Sequence, residues 1–213
     1  SELFRPYRMR VAVVSASSAM FVMLIIMGAT SLAMNREFGY GLTTVSLVIQ
    51  LHVCAMFIPC FFTGEILTFL GKVNTMVLGC VFFAVSVICA FTGATISNFL
   101  LSLITLGMGW NFLFIGATRL LVEGLTQEEQ SRAEGVNEVF VQGFGAAGAL
   151  ASGFLVAQSW HTVLICATPI ILINFGMLIA LKIQQCGETL MVDMPQLGVV
   201  DADAAAAAAA AAA

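Results

Sequence analysis

Apolar residues run along this chain in long blocks, and polar residues are confined to the gaps between them. Six blocks stand out, at about Val11–Met34, Gly41–Thr63, Val73–Gly93, Ile96–Leu120, Val136–Ala157 and Trp160–Ile183. A bilayer-spanning helix needs about 20 such residues, so each block predicts one span. The gaps carry turn residues and charges. Asn35 to Tyr40 forms the first, Gly64 to Lys72 the second, and Glu123 to Asn137 a long polar loop. The breaks near Ser97-Asn98 and Gln158-Ser159 are very short, which makes the helices they join antiparallel neighbours. The expected fold class is an all-α membrane protein of six transmembrane helices. Residues 1–10 form an N-terminal segment, 11–183 the bundle and 184–213 a C-terminal tail. The tail ends in polyalanine (204–213), which carries no information on fold or function.

Composition agrees with the pattern. Only 9% of the residues are charged and 60% are hydrophobic, whereas a soluble domain carries roughly 25% charged residues. Mean hydropathy is +1.02. Eight Lys and Arg, scattered, offer no nucleic-acid surface. Their distribution does set an orientation. With the N-terminus inside, Arg5, Arg8, Arg10, Lys72, Arg119, Arg132 and Lys182 fall on inner flanks and only Arg36 on an outer one. The positive-inside rule then predicts cytoplasmic termini; the expected location is a bacterial inner membrane. None of the six cysteines forms a CxxC pair, and they read as small buried hydrophobes. Neither a phosphate loop nor HExxH nor a nucleophile elbow occurs, so the sequence predicts no enzyme and no permanently bound cofactor.

Small residues suggest how the spans pack. Gly145, Ala149 and Gly153 make a small-xxx-small face on the fifth, and Gly107, Gly109 and Gly116 lie on the fourth. Buried polar residues are sparser. His52 sits in the middle of the second span, followed at four-residue spacing by Met56 and Cys60, with Pro59 expected to bend the helix. The first span carries Met20, Met23, Met27 and Met34 within a sector of roughly 60°, and Met9 projects onto nearly the same line. Met23 and His52 share a depth. If the two faces meet, thioethers and an imidazole form a ladder of soft ligands suited to Cu(I). The alternative is equally physical: methionines fill irregular gaps, and His52 bonds a neighbouring helix. Gln50, Asn111, Gln142 and Asn174 read as interhelical hydrogen-bond formers, with Trp110-Asn111 the best placed to line a cavity. Arg119 and Glu123, four apart, read as an ion pair, or as partners of Glu138 across the long loop. Glu128 to Arg132 reads as a solvated loop face.

Three stretches carry a family resemblance. His52-Val-Cys-Ala-Met56-Phe-Ile-Pro-Cys-Phe-Phe-Thr-Gly64 with Leu67-Thr-Phe-Leu-Gly71-Lys72 resembles the eighth helix and following loop of a branch of the major facilitator superfamily. Gly107-Met-Gly-Trp-Asn-Phe-Leu-Phe-Ile-Gly116 resembles its tenth helix, and Gln127 to Asn137 its loop into helix eleven. The likeness covers about residues 5–183 and implies the C-terminal six-helix half of a major facilitator fold. That branch includes the CcoA-type copper importers, whose MxxxM and HxxxM pairs fall here on Met23 with Met27 and His52 with Met56. The resemblance therefore implies these four as metal ligands and copper ion as substrate, while Met20, Cys60, Trp110 and Asn111 are candidate cavity residues by their own positions in the spans. The acidic residue and arginine of the superfamily's loop motif are replaced by Thr68 and Phe69. A facilitator holds its substrate between two halves, so the expected partners are the lipid bilayer and either a second six-helix half or a larger membrane complex. Three functions follow: a Cu(I) importer half, a non-transporting structural subunit of a membrane complex, and a facilitator half for a small organic solute.

Overall fold

A computed structural model describes residues 7–193. Among them there is no strand. The helices are α1 (Tyr7–Leu32), closed by a π-helical turn at Ala33–Glu37, then α2 (Leu42–Phe57), α3 (Cys60–Leu70), α4 (Lys72–Phe91), α5 (Ile96–Leu121), α6 (Gln127–Val156) and α7 (Trp160–Asp193). Five are long and apolar enough to cross a membrane alone. The sixth span is the pair α2–α3, bent by 44° at Ile58-Pro59. The all-α, six-span fold class is therefore met, with one span broken.

Several boundaries differ from the hydropathy pattern. Thr126 caps α6: its hydroxyl accepts the Glu129 N–H, and the Glu129 carboxylate accepts the Thr126 N–H at 2.9 Å. This reciprocal pair starts the helix at Gln127, nine residues before the apolar block, so most of the expected polar loop from Glu123 to Asn137 is helix. Glu128, Glu129 and Arg132 are exposed as expected, but on a helix. Likewise most of the gap from Gly64 to Lys72 is helical, and the chain turns only at Gly71, whose φ of +80° suits glycine. Helix α1 already begins at Tyr7, and residues 194–213, most of the tail, lie outside the described part.

Helix α5 is the centre of the bundle. It packs on α4, α1 and α2, and α1 packs also on α6. The α4–α5 seam is closed by glycines: a Cβ added at Gly79 would lie 2.6 Å from the Leu113 nitrogen, and one at Gly109 2.6 Å from the Phe83 ring. Gly116 takes Met76 in the same way. The α1–α6 seam also uses small residues, but not the expected set. Gly145 receives Met20, Gly148 lies against the Phe21 carbonyl and Ser152 faces Gly28, whereas Ala149 and Gly153 are exposed. Two tight contacts three residues apart, continued at Ser152, follow the helical period more closely than a strict four-residue repeat does.

Polar groups within the bundle are mostly paired. Asn174 of α7 accepts from Ser15 at 3.1 Å and donates to Ser18, tying α7 to α1. Ser86 and Ser102 join α4 to α5 at 3.2 Å. At the end that holds the N-terminus, Glu123 does not pair with Arg119. Its carboxylate accepts from Lys72 and lies 3.9 Å from Arg8, which also donates to the Glu123 carbonyl at 3.0 Å. The three side chains are each more than a third exposed, so the cluster positions helix ends more than it stabilises them. Glu138 bonds Gln142 on its own helix. Of the cysteines only Cys80 is buried; Cys54, Cys60 and Cys186 are exposed, because half of each peripheral helix faces outward.

Candidate functional site

Most of the singled-out residues meet at the seam of α2, α3 and α5. Gly107 makes the seam possible: a Cβ there would stand 2.8 Å from the His52 carbonyl oxygen and 3.0 Å from the Met56 nitrogen. The turn from His52 to Met56 therefore lies directly on the α5 backbone. His52 is fully buried, and its Nδ1 lies 2.7 Å from the Leu103 carbonyl oxygen, so Nδ1 carries the proton and donates. Nε2, the remaining acceptor, is buried without a partner. Met56 is buried on the same face, one turn further.

The next turn is the break. Pro59 offers no N–H to the Ala55 carbonyl, and at the bend that its ring opens, the Cys60 N–H is not bonded to the Met56 carbonyl either. Asn111 of α5 supplies the missing donor, its Nδ2 lying 2.8 Å from the Met56 carbonyl oxygen and 2.8 Å from Cys60 Sγ. Its Oδ1 accepts from the Thr63 hydroxyl at 2.7 Å, and that hydroxyl also reaches the Pro59 carbonyl. Asn111 is thus a fully buried clamp over the broken span. Neighbouring Trp110 stacks on Phe114, with centroids 5.0 Å apart, and meets the edge of Phe57 at 6.3 Å. Its indole Nε1 is buried and unpartnered. The seam holds two unused polar atoms of opposite character, an imidazole acceptor and an indole donor, beside a three-ring aromatic cluster.

Of the α1 methionines, Met20 stands elsewhere. Met20 fills the notch at Gly145 in the α1–α6 seam. Met23 is buried and Met27 half-buried, on a helix that packs on α5 and α6 and touches α2 only at the margin. His52, Met56, Cys60, Trp110 and Asn111 are brought together; Met20 is not among them. Gln50 and Gln142 are exposed. Thr63 escaped notice in the sequence, although it lies one turn after Pro59, where freed carbonyls attract hydroxyls.

Residues 11–186 match the sequence profile of the Major Facilitator Superfamily. The chain belongs to the major facilitator superfamily. Among relatives of this facilitator, the riboflavin transporter RfnT of Brucella anthropi is 36% identical over 171 residues, covering 80% of this chain and 43% of RfnT. The MFS-type transporter YddS of Bacillus subtilis is 33% identical over 68% of this chain and 34% of its own length. YdeG, from the same organism, is 34% identical over 67% and 34% respectively. The chain therefore spans less than half the length of these relatives, in keeping with one six-helix half of a facilitator fold.

Proposed function

We propose that this facilitator half forms one wall of a pathway that carries a small organic solute across a bacterial inner membrane, by rocking against a second six-helix half. The termini lie on the cytoplasmic side in this reading, as the distribution of Arg and Lys argues. The α2–α5 seam supplies the solute-facing residues, with Trp110, Phe114 and Phe57 offering flat apolar surface and Nε1 of Trp110 a hydrogen-bond donor. The observation that carries the reading is this unpartnered donor beside stacked rings, in a chain 36% identical to a riboflavin transporter. Flavin-like planar heterocycles are the first solutes to test. Uptake of labelled riboflavin by the complete protein should fall on Trp110→Leu with its membrane abundance unchanged. Uptake that stays at the parental level would remove Trp110 from the pathway.

Cu(I) import is the second reading. It is favoured by the free Nε2 of His52 and by Met56 one turn on. No three His, Cys, Asp or Glu side chains gather among the described residues, so a copper path would consist of thioethers around His52, with Met23 and Met27 completing it. Met→Leu nearly preserves volume and removes the sulfur. Met23→Leu and Met27→Leu abolish copper uptake under this reading and leave it intact if the methionines only pack. Transport of neither solute by the complete protein would favour a structural subunit of a membrane complex.

A further inference from the structure

A second feature has no lining residue from α2, α3 or α5. Between α1, α6 and α7 runs a groove of about 570 Å³, lined by Val14, Ser17 and Phe21 of α1, by Val136, Phe140 and Phe144 of α6, and by Ile170 of α7. Its walls are apolar and open: Val14 and both phenylalanines of α6 are nearly half exposed. One end is different. Arg10 lines the groove there, one turn before Val14. On α6 the sequence Arg132, Val136, Phe140, Phe144 repeats every four residues, which places an exposed arginine at the head of the same stripe. The α1–α6 contacts fix the register, with Met20 at Gly145 and Phe21 at Gly148. The helices therefore run parallel, and both arginines lie at the end that holds the N-terminus.

We propose that this groove binds one anionic phospholipid, with an acyl chain along the apolar walls and the headgroup phosphate between Arg10 and Arg132. Length supports the assignment. Arg10 to Phe21 is eleven residues, or about 16 Å of helix, close to the half-thickness of a bilayer's hydrocarbon core, about 15 Å. The α1 lining of the groove thus matches the depth of one leaflet. Charge supports it too. The Arg10 guanidinium lies 5.9 Å over the Tyr7 ring, a contact through its face that leaves its N–H edges for phosphate oxygens. Arg8, by contrast, is committed to Glu123. Glu134 and Glu138 lie two residues off the Arg132 stripe, about 200° round the helix, and Glu128 lies a turn beyond it. With the orientation argued above, the lipid belongs to the cytoplasmic leaflet, where anionic headgroups attract basic residues. The inference does not depend on which solute is carried.

The test uses the complete protein in phosphatidylcholine vesicles containing phosphatidylglycerol, with brominated acyl chains on one lipid or the other. A Phe140→Trp reporter, corrected for the quenching of the parent protein, should be quenched preferentially by brominated phosphatidylglycerol. A Leu150→Trp reporter, on an exposed part of α6 outside the groove, should show no preference. Arg10→Gln and Arg132→Gln should each lower the preference about fivefold, while Arg10→Lys and Arg132→Lys should largely keep it. Equal quenching by both lipids overturns the headgroup site. Absence of quenching by either means that protein covers the groove and overturns the proposal outright. Relief of quenching by riboflavin would assign the groove to the solute instead.

Discussion

Two prolines lie inside membrane spans of this facilitator, and only one breaks its helix. At Pro59 the second span divides into α2 and α3, bent by 44°. At Pro169 helix α7 continues without interruption from Trp160 to Asp193. Proline removes one amide and crowds the preceding turn in both places, so its chemistry alone does not separate them. Their surroundings do. Pro59 lies beside Asn111, whose amide bonds the Met56 carbonyl and whose oxygen receives Thr63. Pro169 is exposed, and the polar contact next to it is local: the Thr168 hydroxyl donates to the Leu164 carbonyl at 2.7 Å within α7. In this bundle the span opens where a neighbouring helix donates to a freed carbonyl.

The comparison can be broken most forcefully at Asn111. Asn111→Leu keeps the branched outline and leaves the Met56 carbonyl only the weak Cys60 thiol contact at 3.8 Å, so unfolding of the complete protein in mixed micelles should be easier by about 1–3 kcal/mol. An unchanged midpoint would show that the bend does not rely on the clamp. A sharper form adds Pro59→Ala. With the ring gone the helix can close, the residue-59 amide serving Ala55 and the Cys60 amide serving the Met56 carbonyl, so the double variant should recover part of the loss, with a coupling of about 1 kcal/mol. Strict additivity would separate clamp from bend. Thr63→Val removes one interhelical bond and should cost about 0.6 kcal/mol, near the average for such bonds in membranes. Pro169→Ala should shift stability by no more than about 0.5 kcal/mol; a larger effect in the same unfolding assay would mean that α7 stores strain at that point.

Much of the fold was legible in the sequence because lipid demands continuous apolar length. The six blocks became six spans, and Gly107, Gly109 and Gly116 proved to be points of close approach. Asn111 and Asn174 proved to be interhelical bonders, as their depth suggested. Hydropathy was blind to the first turns of α6, since a helix in water is specified by its cap, here Thr126 with Glu129, and not by apolar content. The small-residue face of α6 was misassigned by one residue at its second and third positions, because Gly145-Ala149-Gly153 and Gly145-Gly148-Ser152 are similarly small and differ in what faces them. The candidate site was half legible: His52 and Met56 fell on one buried face as spacing required, while the partner of that face was a matter of packing.

The sequence by itself determined the solvent, the number of spans, the family and the chemistry on offer at each depth. These follow from residue type and period, which are local. Only the tertiary structure decided which faces meet. It set His52 against the Leu103 carbonyl on α5, Met20 against Gly145 on α6, and Asn111 over the break at Pro59. In lipid every face of a span is apolar, so hydrophobicity cannot rank one neighbour above another. The choice passes to shape and hydrogen bonding between residues far apart in the chain.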